Sequence, residues 1–261
     1  MPGPIRPYVK ASLGDLESAV SFRLSALART GVAGRLWRHD HTLWKPDPDE
    51  ITNRLDWLTL PETMGHAVPS LAAFAHHCEG FDRVILMGMG GSSLAPEVLS
   101  VAGGGKPMIV LDSTHPASVL AAERSGDLAR TRFIVASKSG STVETLSQFA
   151  YFYQRVPRGS QFVGITDPGS PLETLAKDHG FLRTFLNPER VGGRYSALSY
   201  FGLAPAAAIG IDPSVLLESG RAMASACARP GADNPGLWLG AVIGEAALQG
   251  RDKLTLLPGP A

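Results

Sequence analysis

The 261-residue chain is 44% hydrophobic and 18% charged, the balance of a folded protein with enough length for a substantial core. Its 24 Lys and Arg cancel its 24 Asp and Glu, which leaves no net field to recruit nucleic acid or an anionic membrane. The two cysteines, Cys78 and Cys227, lie far apart and outside any metal-ligand spacing, so a disulfide framework, a zinc site or another metal is not expected, and a reducing cytoplasm is the expected location.

The start, Met1-Pro2-Gly3-Pro4, lacks the pattern of a secretory leader, and no apolar run reaches the ~20 residues of a bilayer span. Residues 14–30 predict an amphipathic helix, followed by a turn at Gly31–Gly34. A polar and aromatic stretch, Arg38 to Pro46, comes next. Pro48-Asp49-Glu50 then supplies the proline and acids of a helix start after Asp47. Another helix is expected from Pro61 to about His77.

From residue 83 the texture changes. Short apolar runs at Arg83–Met87, Met108–Leu111, Phe133–Ala136, Phe162–Ile165 and Phe181–Leu186 alternate with helical patterns from Leu94 and over 116–124, 142–155 and 171–178. The runs show no period of two, which is how strands of a parallel sheet covered on both faces read. Residues 194–249 read as mostly helical; within them Leu198–Ile211 is too short to span a membrane and predicts a buried helix. Leu254-Thr255-Leu256-Leu257 looks like the start of a further strand, just before Pro258-Gly259-Pro260-Ala261. The expected division is a helical segment over 1–80, an α/β domain over 81–190 and a helical extension over 191–261 that ends at the start of a truncated second domain.

Two loops carry the chemistry. Gly88-Met89-Gly90-Gly91-Ser92-Ser93 lies between a strand and a helix, where glycines let the backbone approach an anion and a helix N-terminus offers free N–H groups. A plain turn with Ser93 as N-cap accounts for part of this, but not for three glycines and two serines together. Gly88-x-Gly90, with Asp112 after the next strand, also mimics a dinucleotide fingerprint, although Ser93 stands at its third glycine position. The second loop, Ser137-Lys138-Ser139-Gly140-Ser141-Thr142-Val143-Glu144-Thr145, offers five hydroxyls and an ammonium. Capping by Ser141 or Thr142 uses one or two of them; the surplus suits a phosphate monoester held without a metal. Glu144 is read as structural, since an acid beside a phosphate repels it. Neither loop ends in the Gly-Lys-Ser/Thr of a nucleoside-triphosphate site. A third segment, Val191-Gly192-Gly193-Arg194-Tyr195-Ser196, sets a guanidinium on a Gly-Gly turn at a helix start, where the dipole does not favour it.

Together these three segments resemble the phosphoglucose isomerase family of sugar isomerase (SIS) domains, and Leu36–Leu60 is similar to the isomerase half of bacterial transaldolase/isomerase fusions. The resemblance runs from about residue 15 to residue 257. It implies a flavodoxin-like three-layer α/β/α sandwich on a five-stranded parallel sheet, flanked by N- and C-terminal helices. It implies interconversion of glucose 6-phosphate and fructose 6-phosphate without a cofactor. Ser92, Ser137, Lys138, Ser139, Thr142 and Thr145 would bind the phosphate, Gly91 and Gly193 would line the sugar, and Arg194 would stabilise the enediolate. The second loop reads Ser-x-Ser-Gly-x-Thr, closer to the broad SIS group than to common phosphoglucose isomerases, which leaves the sugar open.

The family's base, and the histidine and lysine of ring opening, lie in a second domain with no match here. Glu97, Glu144, Glu173 and Glu245 fall in predicted helices, and His115 reads as a turn residue rather than a catalyst. The expectation is therefore the phosphosugar-binding half of an isomerase site, incomplete alone, in a homodimer or in association with a second SIS domain. A non-catalytic sugar-phosphate-binding SIS module is the alternative, and Arg194 argues against it. A nicotinamide dehydrogenase is the third reading.

Overall fold

The computed structural model describes residues 11–257. The leader reading at Met1–Pro4 and the terminal Pro258–Ala261 lie outside them. Two compact units are present: one holds the residues up to Thr52 together with those from Ser219 onward, and the other is Asn53–Glu218.

In the first unit, a 3₁₀ turn at Gly14–Leu16 leads into α1 (Glu17–Arg29), and α2 (Val32–Trp37) follows. The turn predicted at Gly31–Gly34 shrinks to Gly31 alone, whose φ of 63° redirects the chain before α2 starts at the next residue. No helix forms after Asp47. The Asp47 carboxylate accepts the Asp49 N–H at 2.9 Å in an Asx turn, and Glu50 takes a φ of 61°, so the proline-acid signal is spent on a turn. Asp40 accepts from Thr42 and from Arg35 Nε (2.7 Å), contacts that hold its carboxyl down at about 2.

The second unit begins with two 3₁₀ turns, Thr52–Arg54 reaching in from the boundary and Asp56–Leu58. The predicted 61–77 helix is a run of α3 (Leu60–Thr63), a 3₁₀ turn at Met64–Ala67 and α4 (Val68–Cys78). Then come β1 (Arg83–Gly88), α5 (Leu94–Gly103), β2 (Met108–Leu111), α6 (Pro116–Arg124), β3 (Thr131–Ala136), α7 (Val143–Arg155), β4 (Phe162–Thr166), α8 (Pro171–Asp178), β5 (Arg183–Leu186), α9 (Tyr200–Ala208) and α10 (Pro213–Cys227), within which the unit boundary falls. Back in the first unit, α11 (Pro235–Leu248) packs its Leu237, Trp238 and Ala241 with Leu16 of the 3₁₀ turn and Val20 and Leu24 of α1, and Arg23 pairs with Glu245 at 2.5 Å. The strand expected at Leu254–Leu257 does not form. Residues 251–257 have no regular structure and the three leucines are exposed, because an apolar run becomes a strand only where another strand accepts its hydrogen bonds.

All five strands are parallel, in the order β2-β1-β3-β4-β5. Every residue of β1, β3 and β4 is buried, which explains the apolar runs Val84–Met87, Phe133–Ala136 and Phe162–Ile165 with no period of two. Leu86, Ile134, Val163 and Ile165 face a layer with Leu71 and Phe74 of α4 and Phe201, Leu203 and Ala207 of α9. Ile85, Phe133, Val135 and Phe162 face the other, with Val119 of α6, Phe149 and Phe152 of α7 and Leu172 of α8. Phe133 and Phe162 stack at 4.7 Å across neighbouring strands. The three-layer α/β/α sandwich is thus formed. At the amino edge of the sheet, the buried Arg83 bonds Thr131 Oγ1 (2.8 Å) and the Gly126 carbonyl (2.9 Å), and Arg132 bonds the carbonyls of Ser160 (2.6 Å) and His77 (2.8 Å). Both guanidinium groups are held by hydrogen bonds, far from the carboxyl ends where loops can be spared for a ligand.

Candidate active site

The strand order reverses between β1 and β3, whose last residues, Gly88 and Ala136, are paired. Chains leaving these two strands turn to opposite faces of the sheet and open a crevice between their loops. The loops are 88–93 and 137–145, so the topology alone brings them together.

Helix starts at this end of the sheet differ in a telling way. The helices after β2 and β4 are capped by their own side chains: His115 accepts from Ala117 N, and Ser170 from Glu173 N. Those after β1 and β3 are not. Ser93 occupies the N-cap position of α5 but donates its hydroxyl to the Gly90 carbonyl at 3.0 Å, and Thr142 at the start of α7 makes no capping bond. Two helix N-termini with uncapped N–H groups therefore flank the crevice, a favourable field for an anion.

The crevice is a cleft of about 500 Å³ lined by Met89, Gly91, Ser92, Lys138, Ser139, Thr142, Asp167, Gly193, Ser196 and Phe201. Of the residues singled out in the sequence, Gly91, Ser92, Lys138, Ser139, Thr142 and Gly193 line it. Ser137 lies behind them, buried, with its hydroxyl bonded to Thr142 Oγ1 (2.8 Å) and accepting the Gly140 N–H (3.1 Å). Ser139 accepts from the Ser141 N–H (3.3 Å) and hydroxyl (3.0 Å). Much of the apparent surplus of hydroxyls is thus spent on holding the loop's own shape. Thr145 is fully buried in the first turn of α7, and its Oγ1 has no partner among the described residues. Glu144 is exposed.

The third segment closes the cleft from the side. Gly91 and Gly193 meet backbone to backbone, so closely that a Cβ on Gly91 would lie 2.3 Å from the Gly193 carbonyl oxygen. Ser196 stitches them, donating its hydroxyl to the carbonyls of Gly193 (2.7 Å) and Gly91 (3.3 Å). Residues 54–57 brace the turn from below: Leu55 bridges Val191, Asp56 N bonds the Arg190 carbonyl (3.1 Å), and Trp57 stacks on Tyr195 at 5.2 Å. Arg194 is exposed, next to the cleft-lining Gly193 but not itself in the wall.

Two polar wall residues escaped sequence reasoning. Ser196 ends a segment noted for its arginine, and no periodicity marks it. Asp167 follows β4 in Thr166-Asp167-Pro168-Gly169, which spells a turn, and only its place at the carboxyl end of a central strand could have flagged it. Its N–H bonds the Lys138 carbonyl at 3.1 Å, and its Oδ2 takes the Lys138 ammonium. Burial nevertheless pushes its carboxyl above the usual carboxylate value, against the pull of Lys138. Among the described residues, no helix is long and apolar enough to cross a membrane, and no cluster of three or more His, Cys, Asp or Glu is placed to hold a metal.

No family model matches the chain. It is 31% identical over 214 residues to the glucose-6-phosphate isomerase of Trichormus variabilis, covering 78% of this chain and 40% of that protein. It is 35% identical over 181 residues to a glucose-6-phosphate isomerase of Thermus thermophilus, covering 66% of this chain and 43% of that protein. Among solved structures it is similar to a hypothetical protein from Thermus thermophilus, with a TM-score of 0.75 and 29% identity over 88% of this chain and 55% of that one. The chain spans less than half the length of the two curated relatives. With the parallel sheet and the cleft at its switch point, these likenesses identify the chain as a member of the sugar isomerase (SIS) family of phosphosugar isomerases, related to glucose-6-phosphate isomerase.

Proposed function

We propose that this chain supplies the phosphosugar-binding half of an aldose–ketose isomerase site that interconverts glucose 6-phosphate and fructose 6-phosphate. The observation that carries the reading is the cleft between two uncapped helix N-termini, lined by Ser92, Lys138, Ser139 and Thr142. Backbone N–H groups and hydroxyls of that kind suit a phosphate dianion and need no metal. In this reading Ser92, Ser137, Lys138, Ser139, Thr142 and Thr145 form the phosphate set, Ser137 mainly by holding Thr142 in place. The sugar lies along Gly91 and Gly193, and at Gly193, where a Cβ would meet no atom within 4 Å, the missing side chain leaves room for its hydroxyls. Arg194 extends over the reacting carbons and stabilises charge on the enediolate oxygen.

Moving the C2 proton needs a base with a pKa near the working pH. Among the described residues, the only acid on the cleft wall is Asp167, already committed to Lys138, and no histidine lines it. The base is therefore assigned to a partner: a second sugar-isomerase domain or a second subunit. The same observation favours a second reading, a sugar-phosphate-binding module that catalyses nothing.

Calorimetric titration with glucose 6-phosphate, fructose 6-phosphate, glucose and NAD tests the site. Both sugar phosphates are expected to bind, and glucose and NAD not; failure of both sugar phosphates would sink the proposal. Arg194→Ala separates the two readings. Weakened binding of an enediolate-mimicking hydroxamate, with sugar-phosphate binding kept, supports the isomerase half, whereas equal binding of the mimic favours the module.

A further inference from the structure

Nothing in the sugar-phosphate reading calls for Asp167, and a carboxylate in the wall of an anion site works against the anion. Yet its place is built. The backbone N–H of Asp167 bonds the Lys138 carbonyl (3.1 Å), and Asn187 N bonds the Thr166 carbonyl (2.8 Å), so β3, β4 and β5 all fix the turn that carries it. Its side chain is 21% exposed and that of Lys138 37%, and the two are joined in an ion pair. The other carboxylate oxygen, Oδ1, is buried without a hydrogen-bond partner among the described residues.

Among the described residues, Lys138 is the only cation lining the cleft, so this pair leaves the cleft wall with no net charge before a ligand arrives. Resting on the phosphate-site reading above, we infer that Asp167 is a resident counter-anion of the cleft, from which an incoming phosphate must draw Lys138, and that it holds down the affinity for anions. The device has a use in an enzyme that must release a product carrying the same phosphate as its substrate: ground-state grip on that group helps neither step. Hydroxyls and N–H groups then define the phosphate's position, and the ammonium adds charge only as it is exchanged from one anion to the other.

The exchange has a consequence in protons. The charged groups that act on Asp167 are Lys138, from the loop after β3, and Glu189, from the segment after β5; Asn187 adds an amide. Burial and Glu189 favour the protonated acid, while Lys138 and Asn187 oppose it, and burial is the largest effect. An arriving dianion adds further negative charge beside Asp167 and draws Lys138 away. Both raise its proton affinity, so anion binding takes up a proton as pH falls toward the carboxylate range.

Sulfate is the probe, because it stays a dianion throughout the carboxylate titration range while phosphate does not. Its affinity, and that of glucose 6-phosphate, would be measured by calorimetry for the wild type, Asp167→Asn and Asp167→Ser, from neutral pH downward. The wild type is expected to bind sulfate progressively more tightly as pH falls. Both variants are expected to bind it about tenfold more tightly at neutral pH, with the pH dependence flattened. Two variants of different size guard against a folding defect in one, and the wild-type pH series needs neither. Glucose 6-phosphate binding by the wild type together with unchanged or weaker sulfate binding by both variants would overturn this inference alone. Failure of every protein to bind either ligand would overturn the phosphate site itself, and the inference with it.

Discussion

Substitution of Gly91 by alanine tests the geometry of the cleft more sharply than any change to a polar group. The added Cβ would sit 2.3 Å from the Gly193 oxygen and 2.6 Å from its carbonyl carbon, whereas ordinary contact begins at 3.4 Å. One loop must therefore retreat by roughly 1 Å, and the obstacle is backbone, which has no rotamer to escape into. The Gly193 side is held by Ser196 and by the buried start of α9, so the loop bearing Ser92 moves instead. Overpacking of this kind costs about 1–3 kcal/mol, and a ~1 Å misplacement of binding groups costs up to about a hundredfold where geometry matters. Gly90→Ala is the control. Its φ is 57° with no atom within 4 Å of the Cβ, so it incurs only the left-handed strain of roughly 1–2 kcal/mol. Urea unfolding and calorimetry with glucose 6-phosphate would separate them: similar stability losses, with affinity collapsing only in Gly91→Ala. A Gly91→Ala protein with wild-type stability and wild-type affinity would refute the close approach and the cleft built on it.

Other outcomes follow from particular side chains. Thr145→Val removes a buried, unpaired hydroxyl, so thermal stability should hold or rise while sugar-phosphate affinity falls about tenfold; a loss of stability with unchanged affinity would take Thr145 out of the phosphate set. Ser139→Ala, at an exposed cleft position, should leave unfolding unchanged and weaken binding about tenfold or more by calorimetry, as expected for a bond to a charged ligand. Phe162→Ala, in the stacked aromatic layer, should cost about 3–5 kcal/mol in urea unfolding. Arg194→Ala should shift stability by less than about 0.5 kcal/mol, since the side chain is exposed, so any loss of mimic binding reports on the site rather than the fold.

The sheet was legible in the sequence because a strand buried on both faces has nothing to alternate. Arg83-Val84-Ile85-Leu86-Met87 and Phe162-Val163-Gly164-Ile165 could be placed by their apolar texture and the loops that end them. The helical patterns over 116–124 and 171–178 begin at Pro116 and Pro171, which the structure places at helix starts where a missing N–H costs nothing. Signals that two structures can share were the ones that misled. Pro48-Asp49-Glu50 suits a helix start and an Asx turn equally, and the Asp47 side chain decides for the turn. Leu254–Leu257 has the composition of a strand, but pairing is a property of a neighbour and not of the segment. In the site, the count of hydroxyls pointed to a loop that lines the cleft, yet it could not tell the hydroxyls facing the cleft from Ser137, which is turned inward. Asp167 was invisible because a turn explained it fully; only the tertiary approach of Lys138 gives its carboxylate a second meaning.

The burial of α9 has a consequence for how the site can move. Every residue from Phe201 to Ala208 is buried, and the helix grows directly from the third loop: Ser199 Oγ donates to the Ser196 carbonyl at 2.8 Å and caps Phe201 N. Even a methyl group at Gly202 would collide with the Ala197 carbonyl, at 1.9 Å. A swing of the Gly193–Ser196 turn would therefore pull on the buried start of α9 and break the hydrogen bonds of Ser196 and Ser199. Hydrogen exchange at Ser199 and Leu203 should be as slow as in the central strands. Adjustment to a ligand then falls to the exposed Ser139 and Ser141 of the second loop, and to the long side chains of Lys138 and Arg194, which rearrange on the fast timescale of surface rotamers. The wall of the cleft formed by Gly193 and Ser196 is stationary, and the second loop is the part that gives.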